Sequence, residues 1–427
     1  MKITRRFHLV RTLLGPGDFR RLVASQVIGG LGEWLATLAI IAIVWERTHS
    51  AFMSGTVLAL RLLPAAIVTS AISLLVDRFD RRRVLVACTA GRAAIYGTLP
   101  LVGGLAPVLG LALLAEVGTL AYVAARDAAV PRLVTPEHLA AANAVSMGSA
   151  FAAMPLGSGI FAGLSWLQAT LFSPGVDIAL LASAGMFLSA TVMLGRLASM
   201  AHHAPASVAT GETSAEAASA DAARRGLRAL LRADPILRRV VLGGIVVACT
   251  GGTLLTLGLA YVRETLHASA GAYGGLLTTF CAGAVVGVIA LQRARTVLPK
   301  VFHGGAAAMG AILLVMAIFP STAIGFGMAF VFGGAFVATF LGGITILQDR
   351  VDEALRGRAF ALAHSGLRIG AVAIGLLAAW GAKQMGAGRV LWSMDGTQVM
   401  LALAGLVMVA VTVILVAPRR TLARAAV

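Results

Sequence analysis

Ser73-Leu-Leu-Val-Asp77-Arg78-Phe-Asp80-Arg81-Arg82-Arg83 is a charged hinge between two long apolar runs. The run before it reaches back to about residue 54, and the run after it continues to about residue 105. Each is about 20 residues long, which is what an α-helix needs to cross a hydrocarbon core of about 30 Å. Arginines at such a turn stay at headgroup level. The stretch therefore reads as a loop joining two membrane helices.

Working outward, similar runs recur along the whole chain. We place helices near 22–45, 54–76, 84–105, 106–126, 142–166 and 177–199, and a second set near 240–262, 272–292, 301–319, 321–347, 360–382 and 397–417. Helices 3 and 4 join tightly around Pro107. Composition agrees, since 59% of residues are hydrophobic and only 12% charged, about half the charge of a soluble chain. The expected class is an all-α membrane protein of twelve transmembrane helices in two six-helix pseudo-symmetric bundles. The first bundle covers residues 1–199, a cytoplasmic linker 200–239, and the second bundle 240–427. The linker begins in low-complexity sequence and ends in a basic amphipathic segment from Gly226 to Arg239, suited to anionic headgroups. The N-terminal apolar run is too long for a cleaved signal and reads as helix 1.

A net charge of +17 raises the question of nucleic acid. Its distribution answers it. With the N-terminus inside, 28 of the 35 Lys and Arg fall in cytoplasmic segments, 4 in outer loops and 3 (Arg61, Arg92, Arg368) within spans. That bias predicts an inner-membrane protein with both termini cytoplasmic, and leaves no role for nucleic acid. Cys88, Cys249 and Cys281 are far apart, with no metal-ligand spacing, and read as small core residues. No zinc motif, nucleophile elbow or P-loop occurs, so neither an enzyme nor an ATP-driven pump is expected, and no cofactor.

The opening stretch resembles the signature loop of the major facilitator superfamily, G-x-x-x-D-R-x-G-R-[RK], at the place between spans 2 and 3 where that family carries it. Asp77, Arg78, Arg81 and Arg82 match, while Ser73 and Asp80 replace the two glycines. The Asp-Arg-x-Asp-Arg-Arg-Arg form is similar to the branch of macrolide and siderophore exporters. The copy expected in the second half has decayed, with Gly287 in place but Leu291 where the Asp would stand. The exits of helices 4 and 10 carry weakly similar segments, as parallel repeats would. The resemblance implies the major facilitator fold, alternating access, and a cytoplasmic gating role for Asp77, Arg78, Arg81, Arg82 and Arg126, with the 349–358 loop as a further partner. The same arginines also read as plain topology anchors.

Ionisable groups in mid-membrane cost roughly 2.5–3.5 kcal/mol each, so they face a cavity or a partner. Glu33 lies roughly 16 Å into helix 1, Glu116 at similar depth in helix 4, and Arg61 roughly 22 Å up helix 2, within reach of Glu33. Arg92 is lower, with two courses open to it: snorkelling toward the inner surface or pairing with Glu116. Glu33, Glu116 and Arg61 are the candidate proton-coupling set, because an acid facing a guanidinium can alternate between proton-loaded and ion-paired states. Static Glu33–Arg61 or Glu116–Arg92 pairs are the competing reading. Trp34 and Arg368 are the candidate substrate contacts, the first for stacking and the second for an anionic group. Trp45, Trp166, Trp380 and Trp392 fall at expected interfaces. Met154-Pro155-Leu-Gly157-Ser158-Gly159 in helix 5 loosely resembles the Gly-Pro-x-x-Gly-Gly antiporter motif, and equally fits a kinked close-packing face.

The expected activity is proton-coupled export of amphipathic small molecules by a monomer, with protons and membrane lipids as further partners. A lysophospholipid or glycolipid transporter of the same fold, and a non-transporting scaffold or receptor, are the alternatives.

Overall fold

A computed structural model describes residues 15, 17–62, 79–172, 175–198, 235–293, 298–350, 353–386 and 394–416. They form twelve α-helices. The first six are α1 (Asp18–Thr48), α2 (Ala51–Leu62), α3 (Arg81–Thr98), α4 (Leu105–Leu133), α5 (Leu139–Leu171) and α6 (Asp177–Gly195). The second six are α7 (Pro235–Ala260), α8 (Ala270–Arg293), α9 (Leu298–Ile318), α10 (Thr322–Arg350), α11 (Glu353–Met385) and α12 (Gly396–Val416). Among the described residues, ten of the twelve are long and apolar enough to cross a bilayer, α2 and α11 being the others. Large apolar side chains such as Leu114, Leu188, Val285, Leu403 and Val413 stand exposed, as lipid-facing surface requires.

Helix ends are written in local chemistry. Asp80, the second acid of the opening stretch, N-caps α3 by accepting a hydrogen bond from the Arg83 amide at 3.1 Å. The α3–α4 turn passes through a short 3-10 segment, Leu99–Leu101, and then Gly104 at φ 82°, where a side chain would be strained. Arg47 closes this turn by donating to the carbonyls of Gly104 (2.5 Å) and Val102 (2.8 Å). At the start of α12, Asp395 Oδ1 accepts from the Gln398 amide (2.8 Å) while Gln398 Oε1 accepts from the Asp395 amide (2.9 Å), a reciprocal cap. α7 begins at Pro235, earlier than expected, so Arg238 and Arg239 belong to its first turns. It ends in a π-helical turn, Tyr261–Thr265.

The described chain divides into two compact units. One comprises Met1–His49, Thr56–Pro205 and Ala270–Thr278; the other comprises Ser50–Gly55, Ala206–Ser269 and Thr279–Val427. In the first, α1 packs on α4, α5 and α6, and α3 packs on α4 and α6. In the second, α7 packs on α10, α11 and α12, and α9 packs on α10 and α12. The pairing scheme is therefore the same in both, which is the internal repeat in structural form.

Small residues set the spacing. A Cβ on Gly283 of α8 would collide with the Phe330 carbonyl oxygen of α10, and one on Gly252 of α7 with the Ala371 carbonyl of α11. In lipid, such close approach replaces the hydrophobic effect as the source of helix association. Ser183, fully buried on α6, donates to the Gly32 carbonyl of α1 at 2.7 Å. Trp45 is 3% exposed, so it is a core residue and not an interface anchor, whereas Trp166 and Trp380 are exposed.

Candidate functional site: a four-charge cluster in the first bundle

Four helices each bring one charge to a common point: Glu33 from α1, Arg61 from α2, Arg92 from α3 and Glu116 from α4. Glu33 is the hub. Its Oε1 accepts from Arg61 Nη2 at 2.8 Å and from Thr119 Oγ1 at 3.2 Å, and its Oε2 accepts from Arg92 Nη1 at 3.1 Å. Arg61 reaches further, with Nε 3.7 Å from Glu116 Oε2 and Nη1 donating to Thr37 Oγ1. Thr37 in turn donates to the Glu33 carbonyl at 2.7 Å. Two acids and two guanidiniums sum to zero charge, which is the condition for keeping four ionised groups away from water.

Arg92 takes neither course left open by the sequence, snorkelling or a pair with Glu116. It does not snorkel: it is 3% exposed and pairs with Glu33. Its guanidinium carbon lies 4.5 Å from the Phe187 ring centroid and 5.0 Å from that of Tyr122, and Nε donates to the Cys88 carbonyl at 3.3 Å. A cation held by aromatic faces has less to gain from reaching headgroup water. Gly118 on α4 leaves room for its stem, since a Cβ there would meet Arg92 Cγ at 3.5 Å. Sequence spacing placed Arg92 within a span, but α6, which supplies Phe187, is distant in the chain. Thr119, Thr37 and Tyr122 join the cluster as well, and the signal for the two threonines is that each stands one turn from an acid, Thr119 from Glu116 and Thr37 from Glu33.

The cluster opens on a cavity of about 160 Å³. Glu33, Trp34, Arg61, Arg92, Tyr122 and Arg126 line it, with Ser25, Gln26 and Thr89 adding polar atoms. Trp34 presents its ring to Arg61, whose guanidinium carbon is 5.6 Å from the centroid. Gly157 of α5 permits this placement, because a Cβ there would stand 2.8 Å from Trp34 Cβ. Glu116 is 8% exposed and lies behind the lining.

The other expected residues are placed differently. Asp77 and Arg78 lie outside the described residues. Arg82 donates to the Gly195 carbonyl at the end of α6, and Arg81 is buried at the start of α3. Arg126 pairs with its neighbour Asp127 at 2.7 Å on the rim of the cavity. The side chains of 349–358, expected as gating partners, lie outside the described residues. Arg368 is exposed on α11. The second bundle instead holds an aromatic ladder, with Phe336 stacked on Phe340 at 5.8 Å and Phe280 beside Phe336 at 5.7 Å.

Two repeated bundles of membrane helices, one with a charge cluster beside a polar cavity, define a multi-pass membrane protein. The chain belongs to the Major Facilitator Superfamily, whose family model matches residues 22–375. It is similar to the uncharacterized MFS-type transporter Rv0037c of Mycobacterium tuberculosis, 30% identical over 165 residues, 37% of each chain. It is also similar to the uncharacterized MFS-type transporter YfiS of Bacillus subtilis, 34% identical over 73 residues, 17% of this chain and 18% of the other. The chain thus aligns with well under half the length of these relatives. Among solved structures it is similar to a bacterial homolog of the human lysosomal transporter Spinster, with TM-score 0.66 and 14% identity over 93% of this chain and 94% of that one. The nucleoside transporter NupG gives TM-score 0.65 and 12% identity over 93% and 98%. At these identities the likeness shows the fold alone.

Proposed function

We propose that this Major Facilitator Superfamily transporter is a secondary active, proton-coupled exporter of amphipathic small molecules. In this reading it sits in the cytoplasmic membrane with both termini inside and works by alternating access. The observation that carries it is Glu33 held between Arg61 and Arg92 at the wall of a cavity. A proton arriving in this cluster removes one negative charge, so a guanidinium loses its partner and the ties among α1, α2, α3 and α4 change. Proton binding then biases conformation, which is what coupling requires.

The cavity wall supports an amphipathic cargo: Trp34 and Tyr122 offer flat apolar faces and Gln26, Thr89 and Thr119 a few hydrogen-bonding groups. The Asp77–Arg83 form of the signature loop supports export, with Asp77, Arg78, Arg81, Arg82 and Arg126 as the gating set. The test is a proteoliposome assay with an imposed pH gradient and a panel of lipophilic cations and lysophospholipids. Gradient-driven movement of the cations is expected from the native protein, and its loss when both acids of the cluster are removed in Glu33→Gln/Glu116→Gln. Full coupling in that double variant would sink the proposal, and movement of lysolipids alone would replace it with lipid transport.

A further inference from the structure

We infer that, within the cluster, Glu116 is the acid that takes the proton, Arg61 is the cation that changes partner, and Glu33–Arg92 is a fixed ion pair. The inference rests on the proton-coupled reading and divides its labour among residues. Hydrogen-bond geometry carries it. Glu33 has both carboxylate oxygens engaged by three donors. Glu116, among the described residues, has one polar contact, Arg61 Nε at 3.7 Å, which is beyond hydrogen-bonding distance.

The two acids therefore differ in what a proton would disrupt. On Glu33 it would remove the negative charge that balances Arg61 and Arg92 together, weakening two ion pairs at once. Losing the Arg92 contact would strand a guanidinium that is 3% exposed, and an unpaired buried charge is the costliest product available. On Glu116 the proton breaks a single long contact. Arg61 is then left with Glu33 and Thr37, and its side chain is 25% exposed toward the cavity, so water or cargo can balance the charge released. Either site leaves the cluster at one net positive charge, and the second leaves that charge where it is solvated.

Among the described residues, three helices bring titratable or charged groups to Glu116. α1 brings Glu33, α2 brings Arg61, and α3 brings Arg92 and Tyr96. α5 has no ionisable side chain along its length. In the unprotonated state Arg61 bridges α1 and α4; in the protonated state it is held by α1 alone. The proton thereby unties α4 from α2, while the Arg92 anchor keeps α1 on α3.

The test needs no cargo. Infrared difference spectra of the purified protein across a pH titration report the carbonyl stretch of a protonated carboxylic acid. We expect such a band in the native protein, its loss in Glu116→Gln, and its survival in Glu33→Gln. Because Glu33→Gln leaves Arg92 unpaired and can impair folding, Glu33→Gln/Arg92→Gln removes the fixed pair without changing net charge and should keep the band. A band lost on changing Glu33 and kept in Glu116→Gln overturns the inference while leaving proton coupling intact. A native protein with no titrating band assignable to either acid overturns both.

Discussion

Arg92 Nη1 lies 3.1 Å from Glu33 Oε2, and the same guanidinium is covered by the rings of Phe187 and Tyr122. An ion pair between α1 and α3 is thus sealed by side chains of α6 and α4. Truncating one partner leaves a buried charge, which costs about 3–5 kcal/mol, whereas removing both is far less damaging. Arg92→Met should lower thermal stability strongly in detergent, and Glu33→Gln/Arg92→Met should recover much of the loss. A double variant no more stable than the single would show that the pair is not a unit.

Thr119 donates to Glu33 at 3.2 Å and accepts from Arg92 at 3.2 Å. Thr119→Val keeps the shape and deletes both bonds. Interhelical hydrogen bonds in membranes are worth about 0.6–1.7 kcal/mol, so a small drop in unfolding midpoint is expected with folding preserved. The informative readout is coupling, and we expect the transport rate under a fixed pH gradient to fall several-fold in vesicles.

Asp80 caps α3 through the Arg83 amide. Asp80→Ala should cost about 1 kcal/mol of stability, measurable by thermal unfolding. Asp77→Asn, three residues earlier, should behave oppositely if the signature loop gates. Stability should be unchanged, while the transport rate in vesicles falls. Equal transport in native protein and Asp77→Asn would remove the gating role.

Gly283 faces the Phe330 carbonyl with no room for a Cβ. Gly283→Leu must push α8 from α10, and overpacking of this kind costs about 1–3 kcal/mol or more. The expected result is loss of the monodisperse peak in size-exclusion chromatography. Gly91→Leu, where nothing lies within 4 Å of a Cβ, should leave that peak intact.

The primary structure by itself determined the solvent and the architecture. Runs of about 20 apolar residues admit helices in lipid because no other open-chain structure satisfies every backbone amide there. The charged turn at 73–83 was legible because it interrupts two such runs, and Glu33, Glu116 and Arg61 stood out because charge within a span is costly. Depth along each helix alone places Arg61 within reach of Glu33.

Tertiary structure alone decided which charge meets which. Arg92 sits 59 residues from Glu33 in sequence, and its aromatic cover comes from Tyr122 and Phe187 on two further helices. One-dimensional periodicity carries depth in the membrane but not rotation about the helix axis, and a guanidinium chooses between snorkelling and pairing on that rotation. The same limit hid the burial of Trp45 and the roles of Thr37 and Thr119. Membrane insertion is a property of segments read one at a time, whereas an ion-pair cluster exists only once four helices have packed.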